Sequence, residues 1–393
     1  MKFRLFLSVM LLLIFVLYLP AQEASSVLDS YKRNFAKASL GTKIQIIKNS
    51  KNEKINMGPL YNQAMKFLLD NETLLENEPQ AVELSILAAQ LLGETEFTES
   101  QYNLWRMFEE IEEPQVKLSI INALSTMEIE DTIIENMNAW LSRRNSQYRT
   151  GDIPDIQLIG AFVQALGKIG DPSSFSVLFD TLSLQYNSNI TEKADNALYS
   201  LGGNFTEGIK KVIKKQNPGL KVKAIDMALS SDKLENKNKA DVAQHALQVA
   251  LQTKTNNSAE RKNLREVRFK SISYLTNQKR SQATDLCIEH FDQTLLEYSR
   301  NIIQKQYVFE AIECLGAMGN TRSAERLTTY LGVLNSYKEN NKEYGPDIVL
   351  RVIQNLGQIG DNVAYDNLLY VSYLDYTNTI RNAAKNAIDN LEW

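Results

Sequence analysis

The feature that most constrains the fold is a short glycine-containing motif that recurs along the chain. It reads Ala-Leu-Gly-Lys-Ile-Gly-Asp at residues 165–171, Cys-Leu-Gly-Ala-Met-Gly-Asn at 314–320 and Asn-Leu-Gly-Gln-Ile-Gly-Asp at 355–361, with a shorter echo at 200–204. Apolar residues at helical spacing precede each copy, and an amphipathic segment follows it. The motif therefore predicts a helix, a tight turn and a second helix, repeated several times.

The chemistry of the motif fits the two helix ends that meet at such a turn. The second glycine follows the last apolar position, where a helix C-terminus favours glycine in the left-handed conformation. The next residue is Asp or Asn, whose side chain can accept a backbone N–H at the start of the following helix, and Pro172 suits a first helical position. The inner glycine lies within the first helix, and we expect it to allow neighbouring helices to approach closely. The predicted turn residues are Gly167, Gly170, Asp171, Pro172, Gly202, Gly316, Gly319, Asn320, Gly357, Gly360 and Asp361.

Weaker copies of the motif can be recognised once the strong copies are aligned. The inner glycine or its substitute falls at positions 93, 125, 167, 202, 230, 276, 316 and 357, and a ninth, degenerate unit is expected over residues 31–71. Self-similarity at about 30–45 residues is typical of an α-solenoid. The sequence predicts an all-α, right-handed superhelix of about eight helical pairs. Long polar loops are predicted at residues 143–154, 253–263 and 335–346.

A second pattern opens other helices: a β-branched residue, a basic residue, then small residues at helical spacing, as at 116–117, 267–268 and 380–388. It predicts one tightly packed face, with the charge outside. Together the two patterns resemble HEAT-like repeats of the phycobilisome-lyase type, over residues 80–393. Lyases of that class attach bilins, and some HEAT-like proteins are di-iron hydroxylases with His-Glu pairs. This chain has no His-Glu dipeptide, and nothing in it points to a bilin.

The N-terminus resembles a secretory signal. Lys2 and Arg4 precede an apolar run over residues 5–19, and cleavage is predicted after Ala21, with Ala24 as a second candidate. The predicted organisation is a signal peptide (1–21), an N-terminal helical region or degenerate capping repeat (22–79) and the solenoid (80–393). The expected location is the periplasm, with no membrane insertion after cleavage. The alternative is an uncleaved membrane anchor, although the run is shorter than the ~20 residues that spanning requires.

Composition offers little support for catalysis. The net charge of −4 gives no general attraction to nucleic acid. The chain has two histidines, and Cys287 with His290 could face one another, but two ligands do not complete a zinc site. Cys287 and Cys314 fit either apolar packing or a disulfide. We expect neither a catalytic site nor a cofactor, and a repeat-fold enzyme or metal protein remains the less favoured alternative.

Charged and aromatic residues suggest where a partner binds. Residues 70–113 contain twelve acidic residues and one basic residue, whereas 207–223 contain six lysines and one acid. These zones are either solvated helix faces or surfaces that meet complementary partners, or each other in a dimer. Three tyrosines step by three along one predicted helix, where they fit an interface or packing between repeats. The candidate partner-binding residues are Lys210, Lys211, Lys214, Lys215, Tyr370, Tyr373 and Tyr376. The sequence thus predicts a non-catalytic protein-binding scaffold or adaptor of the bacterial cell envelope; the alternative is a membrane-tethered assembly factor.

Overall fold

The computed structural model describes residues 25–342 and 345–392, which fold into helices throughout. The chain divides into two compact units, Met1–Gly202 (unit 1) and Gly203–Trp393 (unit 2). Among the described residues the only extended pairing is an isolated bridge between Asp361 and Glu392. The predicted signal peptide lies outside the described residues, and none of the helices inside them has the length and apolarity to cross a bilayer. The all-α prediction is confirmed.

Unit 1 consists of helical hairpins, each with a first (A) and a second (B) helix. The A helices pack side by side in one layer, the B helices in a second layer. A short helix, α4, interrupts the connection within the second hairpin. In chain order the helices are α1 (residues 25–37), α2 (Leu40–Ser50), α3 (Gly58–Leu69), α4 (Thr73–Asn77), α5 (Pro79–Glu94), α6 (Gln101–Glu110), α7 (Pro114–Leu124), α8 (Asp131–Arg149), α9 (Ile156–Ile169), α10 (Phe175–Leu184) and α11 (Ser188–Ser200).

Unit 2 repeats this plan. Its A helices are α12, α14, α16, α18 and α20, and each B helix packs against the B helix of the next hairpin. In chain order the helices are α12 (Thr206–Lys215), α13 (Pro218–Ser230), α14 (Asn236–Gln252), α15 (Ser258–Asn277), α16 (Thr284–Ser299), α17 (Lys305–Met318), α18 (Thr321–Glu339), α19 (Pro346–Ile359), α20 (Tyr365–Val371) and α21 (Asn378–Asp389).

The two units are copies of one five-hairpin plan. Helices α8 and α9 begin at positions 131 and 156, and α18 and α19 begin at 321 and 346, so one constant offset relates both pairs. Backbone contacts repeat at the same offset: the N–H of Gly202 donates to the carbonyl of Gly170 at 2.7 Å, and that of Glu392 donates to Gly360 at 2.7 Å. Near the start of the units, α2 and α3 begin at positions 40 and 58, and α13 and α14 begin at 218 and 236. The two helix starts are therefore equally far apart in each unit. Within each of these two stretches, unit 2 can be compared with unit 1 position by position, with an offset of 178 residues from α2 and α3 and of 190 residues from α8 and α9.

The turns of the glycine motif have the geometry that their residues favour. Gly170, Gly319 and Gly360 end their helices with φ of 72°, 61° and 75°, in the left-handed region where a Cβ would be strained. The side chain of Asp171 accepts from the N–H of Ser173, and Pro172 begins a short 3-10 turn. Asp361 accepts in the same way, and Asn320 forms a capping box with Ser323.

The inner glycines lie where helices touch. A Cβ at Gly167 would lie 2.8 Å from the Cα of Ala197, and one at Gly357 would lie 2.9 Å from the Cα of Ala387. At Gly316 a Cβ would overlap the side chain of Asn355. Gly202 differs from the prediction. It follows the end of α11 rather than lying within a helix, because Leu201 leaves the helical conformation (φ −54°, ψ 135°) and the N–H of Gly202 donates to the carbonyl of Gly170.

Three sequence expectations need correction. The polar segments 143–154, 253–263 and 335–346 are loops only in part, because α8 and α18 continue past buried asparagines and α15 begins at Ser258. The described residues form ten hairpins instead of about eight, since the first and last hairpins carry no inner glycine. The cations of the second pattern, which were expected outside, are buried at Lys117 and Arg268, and Lys221 is buried as well. The Lys221 ammonium donates to the Ile213 carbonyl at the end of α12, where the last carbonyls lack helical partners.

Candidate partner-binding surface

The A helices of unit 2 run parallel to one another, so their C-terminal ends lie along one edge of the unit. Three of these ends carry exposed apolar or aromatic side chains. Leu296 lies in the last turn of α16, Ile302 follows that helix, and the others lie at the ends of α18 and α20. We call this surface the α16–α20 rim and define it by Leu296, Ile302, Val333, Tyr337, Tyr370 and Tyr373.

Contacts between the helices fix the register of the rim. Arg326 on α18 pairs with Asp292 on α16 at 2.5 Å, and the rings of Tyr330 and Phe291 meet edge to face at 5.4 Å. One to two turns further along α18, Val333 and Tyr337 therefore lie beside the end of α16. On the other side, the hydroxyl of Tyr370 donates to Glu339 Oε1 at 2.8 Å and ties the end of α20 to that of α18.

The rim residues are exposed to a degree that large apolar side chains seldom show together. Tyr373 is 75% exposed, Ile302 50% and Leu296 48%, while Val333 and Tyr337 are each 42% exposed. Exposed apolar side chains are ordinary singly, but a contiguous group marks an interaction surface. Tyrosine suits such a surface because it offers contact area and a polar tip at small entropic cost.

Tyr376 does not belong to this surface. It is 2% exposed, and its hydroxyl donates to the Leu334 carbonyl and to Asn335 Oδ1, both at 3.2 Å. The three tyrosines do not share a helix, because α20 ends at Val371 and Thr377 caps the start of α21. The prediction that Tyr376 binds a partner is wrong, and the expectation that Tyr373 packs between repeats fails because its side chain faces solvent.

Unit 1 shows that the fold does not require apolar residues at these positions. The offset that relates α8 to α18 places the exposed residues Arg143 and Gln147 of unit 1 where unit 2 has Val333 and Tyr337. Where unit 2 joins Tyr370 to Glu339, unit 1 joins Asp180 to Arg149 by an ion pair. At these positions the same backbone thus carries polar side chains in unit 1 and apolar or aromatic side chains in unit 2, although Ile153, which follows α8 in unit 1, is 88% exposed. The repeat therefore does not require Val333 and Tyr337 at their places in unit 2.

The predicted lysines lie at the C-terminal end of α12, on the same edge of unit 2. Lys211, Lys214 and Lys215 are exposed, and none forms an ion pair within the described residues. Lys210 is half-buried and pairs with Glu207 at 2.9 Å. His245 on α14 packs against this helix, and burial lowers the pKa of its imidazole. The end of α12 is therefore a cationic surface of three lysines rather than four.

A buried polar cluster, which the sequence patterns did not reveal, lies beneath the rim. Arg268 on α15 is 1% exposed and donates two hydrogen bonds of 2.7 Å to the carboxylate of Glu297, next to Leu296 on α16. His290 Nε2 lies 3.2 Å from the Thr294 hydroxyl. Burial, with the nearby charge of Arg268, holds the pKa of His290 well below its usual value. The cluster joins α15 to α16 and so positions the end of α16.

The two cysteines are buried neighbours. Cys287 Sγ on α16 lies 3.9 Å from Met318 Sδ on α17, one turn from Cys314, and both thiols are fully buried. A hydrogen bond to Cys314, together with burial, raises the pKa of Cys287. His290 points to Thr294 and Arg268 instead. In the part of the chain that the structure describes, no three His, Cys, Asp or Glu side chains converge as metal ligands would.

Comparison with known proteins identifies no family. No family model matches the chain, and no curated protein matches it. Among solved structures, an engineered protein matches 92% of this chain and 98% of its own, at 12% identity and a TM-score of 0.33. A chain from a study of the cadherin–beta-catenin interaction matches 93% of this chain and 86% of its own, at 12% identity and a TM-score of 0.37. The assignment as a helical repeat protein rests on the helices themselves.

Proposed function

We propose that this protein is a non-catalytic scaffold of the bacterial cell envelope that binds another protein through the α16–α20 rim. The observation that carries the proposal is the contrast between the two units. Unit 2 exposes Val333 and Tyr337 where unit 1, on the same backbone, exposes Arg143 and Gln147. A water-exposed apolar group that the fold does not need is best accounted for by a partner that covers it.

The geometry of the rim suits a protein partner. The side chains come from the ends of three adjacent helices, which hold them in fixed positions, and the Arg268–Glu297 ion pair and the Tyr370–Glu339 hydrogen bond support those ends. Binding to a rigid surface loses less conformational entropy than binding to a mobile loop. The exposed tyrosines and aliphatic side chains provide the apolar centre of an interface, and Arg300, Lys342 and Glu339 provide polar surroundings.

The proposed location in the envelope rests on the sequence alone. We propose export through the segment 1–21, cleavage after Ala21 and residence in the periplasm, with repeats of the HEAT-like type. The alternative, a membrane-tethered assembly factor, keeps that segment. The intact mass of a C-terminally tagged chain purified from the envelope fraction distinguishes the two, because cleavage removes the mass of the segment. A chain of full mass that requires detergent for extraction would exclude the periplasmic form.

The binding proposal can be tested by site-specific photocrosslinking in cells. A photoreactive side chain at Tyr337 or Tyr373 is expected to form one adduct of defined mass with another protein. The matched control is the same side chain at Gln147, which is exposed at the corresponding place of unit 1. Adducts from Tyr337 and Tyr373 without an adduct from Gln147 support the rim as the docking surface. Absence of adducts at both tyrosines, or identical adducts at all three positions, would contradict it.

A further inference from the structure

The connection within the second hairpin carries opposite charge in the two units. In unit 1 this connection, between α3 and α5, contains Asp70, Glu72, Glu76 and Glu78, all of which are exposed. We call these four residues the acidic loop. Within the described residues none of them forms an ion pair, and Arg106, which feels the charges of Asp70 and Glu72, is already bound to Glu110 at 2.7 Å.

The corresponding part of unit 2 is cationic. The connection between α14 and α15 contains Lys254, and the first turns of α15 carry Arg261 and Lys262. The end of α12 with Lys214 and Lys215 lies next to it, since a Cβ at Gly219, beside that end, would lie 3.4 Å from Asn263 on α15. We call Lys214, Lys215, Lys254, Arg261 and Lys262 the basic edge. All five are exposed, and none is ion-paired within the described residues.

Like charges that lie close together without counterions raise the energy of the folded state. A second surface of opposite sign relieves that repulsion and also steers association. Both surfaces lie at the second hairpin of their unit; the basic edge combines Lys254 of the connection with the end of α12 and the first turns of α15. Each copy of the chain thus carries two surfaces of opposite charge.

We propose that two copies of this chain associate, with the acidic loop of one copy bound to the basic edge of the other. The occupant of each surface is therefore a second copy, selected by charge. Association would bring two α16–α20 rims into one assembly and so make binding of a multivalent partner bivalent. This inference goes beyond the proposed function and does not depend on it.

The test is a charge exchange, read as molar mass by light scattering or sedimentation equilibrium. One variant carries Lys214→Glu, Lys215→Glu, Arg261→Glu and Lys262→Glu; the other carries Asp70→Lys, Glu72→Lys, Glu76→Lys and Glu78→Lys. Wild type is expected to exceed the monomer mass at low salt and to dissociate at about 0.5 M salt, where the screening length is only a few ångströms. Each variant alone is expected to be monomeric. An equimolar mixture is expected to associate again, because each variant supplies the charge that the other lacks.

Three results would overturn the proposal: wild type that is monomeric at low salt and high concentration, association that survives both reversals, or a mixture that stays monomeric. All substituted side chains are exposed, so circular dichroism and melting temperature are expected to stay near wild type and to separate misfolding from lost association. Crosslinking at Tyr337 does not involve these residues. If the self-association proposal failed, the proposal that the α16–α20 rim binds a protein would be unaffected.

Discussion

The hydroxyl of Tyr186 donates a hydrogen bond of 2.9 Å to Oδ1 of Asn145, and at the corresponding place of unit 2 Tyr376 donates one of 3.2 Å to Oδ1 of Asn335. In each unit a fully buried asparagine near the end of an A helix thus holds the residue that leads into the last B helix. The Asn145 amide also donates to the Thr181 hydroxyl at 2.9 Å. This pair of side chains fastens the last two hairpins of each unit.

Asn145→Ala is expected to destabilise unit 1 by about 2–4 kcal/mol, because it leaves the buried hydroxyl of Tyr186 without its acceptor and creates a small cavity. Tyr186→Phe removes only the hydroxyl and is expected to cost about 1 kcal/mol. Urea unfolding followed by circular dichroism measures both free energies. If Asn145→Ala cost no more than Tyr186→Phe, the proposed role of the asparagine would be wrong.

Gly167→Ala is expected to destabilise the protein by about 1–3 kcal/mol, since the new Cβ would lie 2.8 Å from the Cα of Ala197, a backbone atom that cannot move independently. The matched control is Gly219→Ala. That glycine lies exposed in the first turn of α13, and a Cβ there meets nothing closer than 3.4 Å. Alanine favours the helix at this position, so unfolding free energy is expected to rise by a few tenths of a kcal/mol. If both substitutions changed the unfolding free energy in the same direction, close packing of Gly167 against Ala197 would not explain the glycine.

Stability is expected to fall as the pH decreases below about 6.5, the unfolded pKa of histidine. Burial and Arg268 lower the folded-state pKa of His290, so the unfolded chain binds a proton that the folded chain does not. The contribution of His290 to the unfolding free energy is fully present above the unfolded pKa. It is lost as pH falls towards the folded pKa, at up to about 1.4 kcal/mol per pH unit. Arg268 and Glu297 are the charged groups that face this histidine.

His290→Met isolates this contribution. Unit 1 has Met107 at the corresponding place, since Phe108 meets Trp140 at 5.6 Å as Phe291 meets Tyr330 at 5.4 Å. The fold therefore accepts methionine there. Unfolding free energies are measured from pH 7.5 to pH 5, and that of wild type is expected to decrease relative to that of the variant as pH decreases. Parallel curves would show that His290 does not titrate on unfolding. The pKa of His245 is also lowered, but this residue is present in both proteins, so its contribution cancels in the difference between their unfolding free energies.

Cys287 and Cys314 are expected to resist maleimide in the folded protein, because both side chains are fully buried. In denaturant without reductant, two thiols are expected to react, because the structure has both cysteines as free thiols rather than as the disulfide that the sequence also allowed. No reaction until a reductant is added would contradict this. Intact mass counts the adducts. Rapid labelling of the folded protein would contradict the packing of α16 against α17.

The glycine motif predicted the fold because its chemistry is local. Gly170 and Asp171 specify a helix end and a helix start without reference to any distant residue. The buried cations could not be predicted in the same way. Val267-Arg268 looks like an exposed charge on an amphipathic helix, and only the position of Glu297 on the next hairpin makes its burial tolerable.

The candidate partner-binding surface, too, could be predicted from the sequence only in part. The composition of the sequence drew attention to the tyrosines near the C-terminus. Which of them is exposed depends on where the helices end: Tyr373 faces solvent, whereas Tyr376, three residues later, is buried. The contribution of Val333 and Leu296 depends on the parallel packing of α16 and α18, which sequence spacing does not show. A signal of the duplication was present, because four residues of unit 1 recur in unit 2 at one constant offset. Asn145, Gly167, Gly170 and Tyr186 return as Asn335, Gly357, Gly360 and Tyr376.

The measurement that tests the central claim most directly exchanges rim residues for those that unit 1 has at the same places. A chain with Val333→Arg and Tyr337→Gln is expected to fold as wild type does, since unit 1 accepts both residues. Its affinity for the protein crosslinked at Tyr337, measured by titration calorimetry, is expected to fall at least about tenfold, or about 1.4 kcal/mol. The reverse exchange in unit 1, Arg143→Val with Gln147→Tyr, should leave affinity unchanged. An unaltered affinity in the first variant would contradict the assignment of the α16–α20 rim as the binding surface.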